Sequence, residues 1–170
     1  MTIQVPGSRE LPTRADTVAL GAELATLLGP GDVVVLDGPL GAGKTALTSG
    51  LAEGLGVQGR VTSPTFVLAR RHLPAAPGRP GLVHVDAYRL LGEDTTTGGA
   101  PSRPPSALAD ELESLDLDDA LDTDVVVVEW GAGLAEALVE SPLLVRMERR
   151  PDSEVRTARW EWSPRLGDVA

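Results

Sequence analysis

The chain has 170 residues, of which 42% are apolar, with 15 basic against 25 acidic side chains and a formal net charge of −10. A face that grips a phosphate backbone unaided must be basic, so autonomous binding of nucleic acid, DNA included, is not expected. The chain contains no cysteine, which excludes disulfides and thiolate metal sites and fits a reducing compartment.

The N-terminal MTIQVPGSRE has no apolar stretch for a signal peptide, so a cytoplasmic protein is expected. The first predicted element is a helix over Ala15–Leu28, preceded by Pro12-Thr13 and stopped by Gly29-Pro30. Asp32–Leu36 (DVVVL) is a continuous apolar run of the kind found in strands buried on both faces. A helix over Thr45–Leu55 follows, ending near Gly56. Val61–Arg71 and Leu82–Asp86 read as strands, separated by a Pro/Gly turn region at Pro74–Gly81. Gly92–Ser106 (GEDTTTGGAPSRPPS) is low in complexity and without apolar anchors, and is expected to be a mobile surface loop. Leu108–Leu121 and Leu134–Val139 read as helices and Asp124–Glu129 as a strand. Leu143–Met147 and Thr157–Trp162 read as closing strands, the last at a sheet edge. Strands alternating with helices predict one α/β domain over residues 1–170, with a mostly parallel sheet covered on both faces. No run approaches the roughly 20 apolar residues that cross a bilayer, so no membrane is expected.

The chemistry begins at Gly38–Thr45, GPLGAGKT, which satisfies G-x-x-x-x-G-K-[ST] through Gly38, Gly43, Lys44 and Thr45. Glycines let successive backbone N–H groups turn into one anion-sized hollow, and the following helix points its N-terminal dipole at it. In this pattern the lysine reaches the β- and γ-phosphates of a nucleotide and the threonine hydroxyl ligates Mg²⁺. Fourteen of the fifteen basic residues are arginine, and the one lysine, Lys44, stands in this loop. A compact ammonium on a flexible stem suits a bridge between phosphates. ATP and Mg²⁺ are the expected cofactors, and the predicted architecture is a P-loop NTPase-like three-layer α/β/α fold.

Two apolar strands end in a carboxylate, Leu82–Asp86 in Asp86 and Val125–Glu129 in Glu129. The C-terminal edge of an open α/β sheet is where its ligands bind. A phosphoryl-transfer site needs an acid there for Mg²⁺ and often another to orient the attacking water. Thr62-Ser63-Pro64-Thr65 offers three hydroxyls stiffened by a proline, in a region where P-loop proteins often sense the γ-phosphate. His84, between Val83 and Val85, reads as a structural histidine. Arg70-Arg71 and Arg149-Arg150 read as solvated surface charge.

GPLGAGKT (38–45), VTSPTF (61–66), HVDAYRL (84–90) and VEWG (128–131), in this order, make the chain resemble the TsaE family, the ATPase of bacterial tRNA threonylcarbamoyladenosine biosynthesis. The resemblance runs from about Leu11 to Met147. It implies that Gly41, Ala42, Gly43, Lys44, Thr45 and Ala46 hold the nucleotide phosphates, and that Thr45 and Glu129 ligate Mg²⁺. It gives Lys44, Asp86 and Glu129 the catalytic work. Ser63 and Thr65 become part of a switch-like segment, and Trp130 part of the nucleotide or partner surface. The implied partners are TsaD and TsaB, whose complex is reset by ATP hydrolysis. Pro39 stands where the family commonly has aspartate, so no role of that carboxylate transfers, and Gly131 stands where a proline often follows the EW pair. The rival readings are a small-molecule P-loop kinase, with Arg103 as a lid residue, and a non-hydrolysing nucleotide-binding regulator. A small GTPase is excluded, since its N-K-x-D segment needs a second lysine.

Overall fold

A computed structural model of the chain describes residues 3–62, 69–87, 117–129 and 138–163. The elements are β1 (Gly7–Leu11), α1 (Arg14–Leu24) with a 3₁₀ turn over Ala25–Leu27, β2 (Val33–Asp37), α2 (Lys44–Leu55), β3 (Ala69–His72), β4 (Gly81–Asp86), α3 (Leu117–Leu121), β5 (Asp124–Glu129), β6 (Leu143–Arg149) and β7 (Arg156–Trp162). The strands form one seven-stranded sheet in the order β1-β7-β6-β2-β5-β4-β3.

The four central strands, β6, β2, β5 and β4, are parallel, and the pairings β3–β4, β6–β7 and β7–β1 are antiparallel. The sheet is therefore mixed, with parallel pairing confined to its middle. Short connections explain the flanks: residues 73–80 and 150–155 are too few for a crossover helix, so the chain returns antiparallel. The closing strand β7 is not an edge strand, because β1 pairs with its Arg156–Trp160 stretch. The sequence reading passed over β1 because GSREL alternates without a run of apolar residues, as an edge strand open on one face does. Of the strand read over Val61–Arg71, residues 61 and 62 are irregular, 63–68 lie outside the described residues, and 69–71 fall in β3. Of the two later predicted helices, the described part of the first is α3, while 138–139 carry no helix. The Gly92–Ser106 stretch lies outside the described residues.

Along β2 burial alternates between two cores. Val34 and Leu36 join Leu20, Leu24, Leu47 and Leu51 of α1 and α2, while Val33 and Val35 join Leu117 on the other face. α1 starts in a capping box: Thr13 Oγ1 accepts from Asp16 N–H at 3.2 Å, and the Asp16 carboxylate accepts from Thr13 N–H at 2.8 Å. Such a cap contributes about 1 kcal/mol. α2 ends at Gly56 in the left-handed region, φ +72°. The two helices touch through glycines. A Cβ on Gly50 would overlap the Val18 carbonyl oxygen, and one on Gly21 would stand 2.8 Å from Leu51 N. Asp124, 1% exposed, ties the start of β5 to its neighbours by accepting from Arg71 Nε at 2.6 Å and Gly81 N–H at 3.2 Å. Arg71 is thus an anchor for a buried carboxylate and more than solvated surface charge. No helix among the described residues is long and apolar enough to cross a membrane.

Candidate functional site

The turn from β2 into α2 carries the glycine loop. Gly38, Gly41 and Gly43 have φ of +150°, +80° and +102°, conformations that a side chain resists. Space is short as well. A Cβ on Gly38 would overlap the Met147 carbonyl oxygen, and one on Gly43 would lie 3.2 Å from Arg156 Cδ and Nε. The ends of β6 and β7 therefore close one side of the loop. Ala42 is fully buried, Thr45 and Ala46 are half-buried, and Gly41 is exposed. Gly43 is the N-cap of α2 and makes no side-chain cap bond to the first N–H groups of the helix, an end suited to an anion.

Lys44 is 6% exposed and folds back over the loop, its Nζ donating to Gly38 O at 2.7 Å and Pro39 O at 3.0 Å. Pro39 thus takes part through its carbonyl, which any residue would supply there. Burial pushes the Lys44 ammonium below the ordinary lysine value, and the carboxylates of Glu129, Asp37 and Asp86 pull it back up. A buried ammonium disfavoured by desolvation is a group that gains from a further anion.

The carboxylates reach the loop through strand register. In the parallel pairings Glu129 sits beside Leu36 on one side and Asp86 on the other, so β2, β5 and β4 end in one row. Asp86 is 9% exposed and Glu129 4%. Glu129 Oε1 lies 2.9 Å from Nε2 of the fully buried His84. Thr45, Asp86 and Glu129 offer only oxygen donors, the chemistry that a hard divalent cation takes. Among the described residues no group of three or more His, Cys, Asp or Glu forms a cage for a metal. That donor set suits a cation that keeps waters and shares ligand phosphates, as Mg²⁺ does. A cavity of about 620 Å³ runs from Thr45 along the outer side of α2 past Ser49 to Glu53, walled by Arg14 and Thr62.

The structure thus brings Gly41, Ala42, Gly43, Lys44, Thr45, Ala46, Asp86 and Glu129 to one end of the sheet. Ser63, Thr65 and Trp130 lie outside the described residues. Three further residues at this end were not read as part of the site from the sequence. Asp37 was legible, because VVVLD ends in a carboxylate like the other two strands. Arg149, read from the sequence only as solvated surface charge, has its Nη1 3.7 Å from where a Cβ on Gly41 would lie, and Arg156 at the start of β7 had no local signal.

The family model described as "Threonylcarbamoyl adenosine biosynthesis protein TsaE" matches residues 11–158. The tRNA threonylcarbamoyladenosine biosynthesis protein TsaE of Mycobacterium tuberculosis is 52% identical over 156 residues, 92% of this chain and 87% of that protein. The Streptomyces coelicolor protein of the same name is 55% identical over 130 residues, 76% of this chain and 77% of that one. The crystal structure of Bacillus subtilis YdiB superposes with a TM-score of 0.62 at 27% identity, covering 93% of this chain and 87% of that chain. The chain belongs to the TsaE family of tRNA threonylcarbamoyladenosine biosynthesis proteins.

Proposed function

We propose that this chain is a P-loop ATPase that binds ATP with Mg²⁺ at the β2–α2 turn and spends the hydrolysis on protein partners. The observation that carries the reading is the juxtaposition of Lys44 and the positive-φ glycines with the buried carboxylates of Asp86 and Glu129. In this reading residues 1–170 form one three-layer α/β/α domain of P-loop NTPase type, acting in the cytoplasm.

The backbone N–H groups of Gly41 to Ala46 and the first turn of α2 bind the phosphates. Lys44 exchanges its carbonyl partners, Gly38 O and Pro39 O, for phosphate oxygens, a stronger charge-assisted contact. Thr45 and Glu129 hold the cation, which when bound offsets charge on the phosphates. Asp86 orients the water that attacks. Arg149 and Arg156, on the wall of the loop, add positive charge near the nucleotide. Ser63, Thr65 and Trp130 enter by family resemblance alone, as a γ-phosphate-sensing segment and a nucleotide or partner contact.

The net charge of −10 suits a protein that leaves tRNA to its partners. Those partners are TsaD and TsaB, and the chain drives their turnover without transferring the threonylcarbamoyl group itself. The test is ATP turnover by the purified protein, alone and with a TsaB–TsaD complex. Strong stimulation by the complex is expected. Phosphotransfer to a small acceptor, indifferent to the complex, would put the kinase reading in its place, and binding without turnover in either setting would leave a regulator.

A further inference from the structure

We infer that His84 is a positioning residue, holding the Glu129 carboxylate in the orientation in which it ligates the cation. The inference rests on the Mg²⁺-ATP reading and adds a residue to it that the sequence motifs treated as structural.

His84 sits in the middle of β4, fully buried, on the face that carries Leu82 and Asp86 and looks toward α2. Its strand neighbours are Val127 across the parallel pairing and Arg70 across the antiparallel one, and the core on this face of the sheet is mostly Leu, Val and Ala. Packing alone would be better served there by an aliphatic side chain, since burying an imidazole forfeits its hydration. The ring recovers one contact, from Nε2 to Glu129 Oε1 at 2.9 Å. Its Nδ1 has no hydrogen-bond partner among the described residues, a deficit that a purely structural histidine would be expected to avoid. The geometry serves Glu129. Where the carboxylate accepts, Nε2 is the donor of the shared bond.

Glu129 is the last residue of β5, its backbone paired with Leu36 and Asp86, and that pairing fixes the backbone but not the rotamer of the side chain. Without a donor the carboxylate would be free to rotate or to pair with the Lys44 ammonium, which already feels its charge. The bond from His84 engages Oε1 and leaves Oε2 for a cation held jointly with Thr45. Outer partners of ligating carboxylates set metal affinity in this way, and losing one lowers affinity or activity about 10- to 100-fold.

The test compares His84→Gln with His84→Asn. Both are neutral amides of similar polarity, but glutamine places its N–H₂ near the position of Nε2, and asparagine near that of Nδ1 and out of reach of Glu129. Mn²⁺ binding in the presence of ATP, read by electron paramagnetic resonance, reports the cation site directly. Nucleotide affinity without metal and the melting temperature are measured alongside. The expected result is Mn²⁺ affinity within a few-fold of wild type for His84→Gln and weakened about 10- to 100-fold for His84→Asn. Metal-free nucleotide affinity should match in the two variants. Equal Mn²⁺ affinity in both would overturn the positioning role and return His84 to the core. If the wild-type protein itself fails to bind Mn²⁺ with ATP, the Mg²⁺-ATP reading falls, a result distinct from the failure of His84 alone.

Discussion

Gly50→Ala sets two physical effects of opposite sign against each other. In an isolated helix the change would stabilise α2 by about 1 kcal/mol, because alanine loses less backbone entropy than glycine. In this fold the new methyl would overlap the Val18 carbonyl oxygen and stand 2.8 Å from its carbon. Carbon atoms rest about 3.5–4.0 Å apart, so α1 and α2 would have to separate by roughly 1 Å. The obstacle is helix backbone, which has no rotamer to turn aside. Gly21 and Gly54 share the interface, and a Cβ on Gly54 would stand 2.7 Å from Ala22 O. Moving one helix therefore loosens the Leu20, Leu24, Leu47 and Leu51 packing as well. Overpacking of this kind costs about 1–3 kcal/mol, and a rigid backbone contact belongs at the upper end. The net expectation is a loss of about 2 kcal/mol, or roughly 4–8 °C in melting temperature for a chain of this size. Guanidinium denaturation followed by circular dichroism measures it, with the m-value unchanged. A variant as stable as wild type, or more stable by the helix-propensity amount, would refute the close approach of the two helices.

Glu129→Ala should retain part of the nucleotide affinity yet lose Mg²⁺-dependent hydrolysis by on the order of 100-fold, the size of one preorganised catalytic contact. Unchanged turnover in steady-state kinetics would make Glu129 structural. Acidification should expose His72, which is 6% exposed and whose burial holds it below the ordinary histidine value of 6.5. The unfolded chain takes up that proton first, so the stability His72 contributes is present above about pH 6.5 and lost as pH falls through the folded value. Urea denaturation between pH 7.5 and 5 should show a shallower loss in His72→Gln than in wild type. Identical slopes would mean that the ring takes up its proton equally in both states.

Much of the site could be read in the chain because its signals are local. A glycine loop, an apolar strand ending in an acid and a helix start are written in consecutive residues. The central strands were legible for the same reason: Val33–Leu36 and Val125–Val128 are apolar on every residue because both faces are covered. Strand order was a different matter, since nothing in Gly7–Leu11 announces its partner 150 residues away in β7. The roles of His84, Arg71 and Arg156 depend on register between strands distant in sequence. His84 meets Glu129 only because β4 and β5 run parallel with Asp86 beside Glu129. Arg71 read as surface charge because its buried partner, Asp124, lies 53 positions away.

The central claim is that ATP is held at the β2–α2 turn by Lys44. Calorimetric titration of ATP with Mg²⁺ into the wild-type protein and Lys44→Ala, with melting curves to show that both are folded, tests it most directly. Saturable binding at one site is expected for wild type, with affinity at least about 100-fold weaker in the variant, some 2.7 kcal/mol. Equal affinity in two folded proteins would contradict the claim and place any nucleotide site elsewhere on the chain.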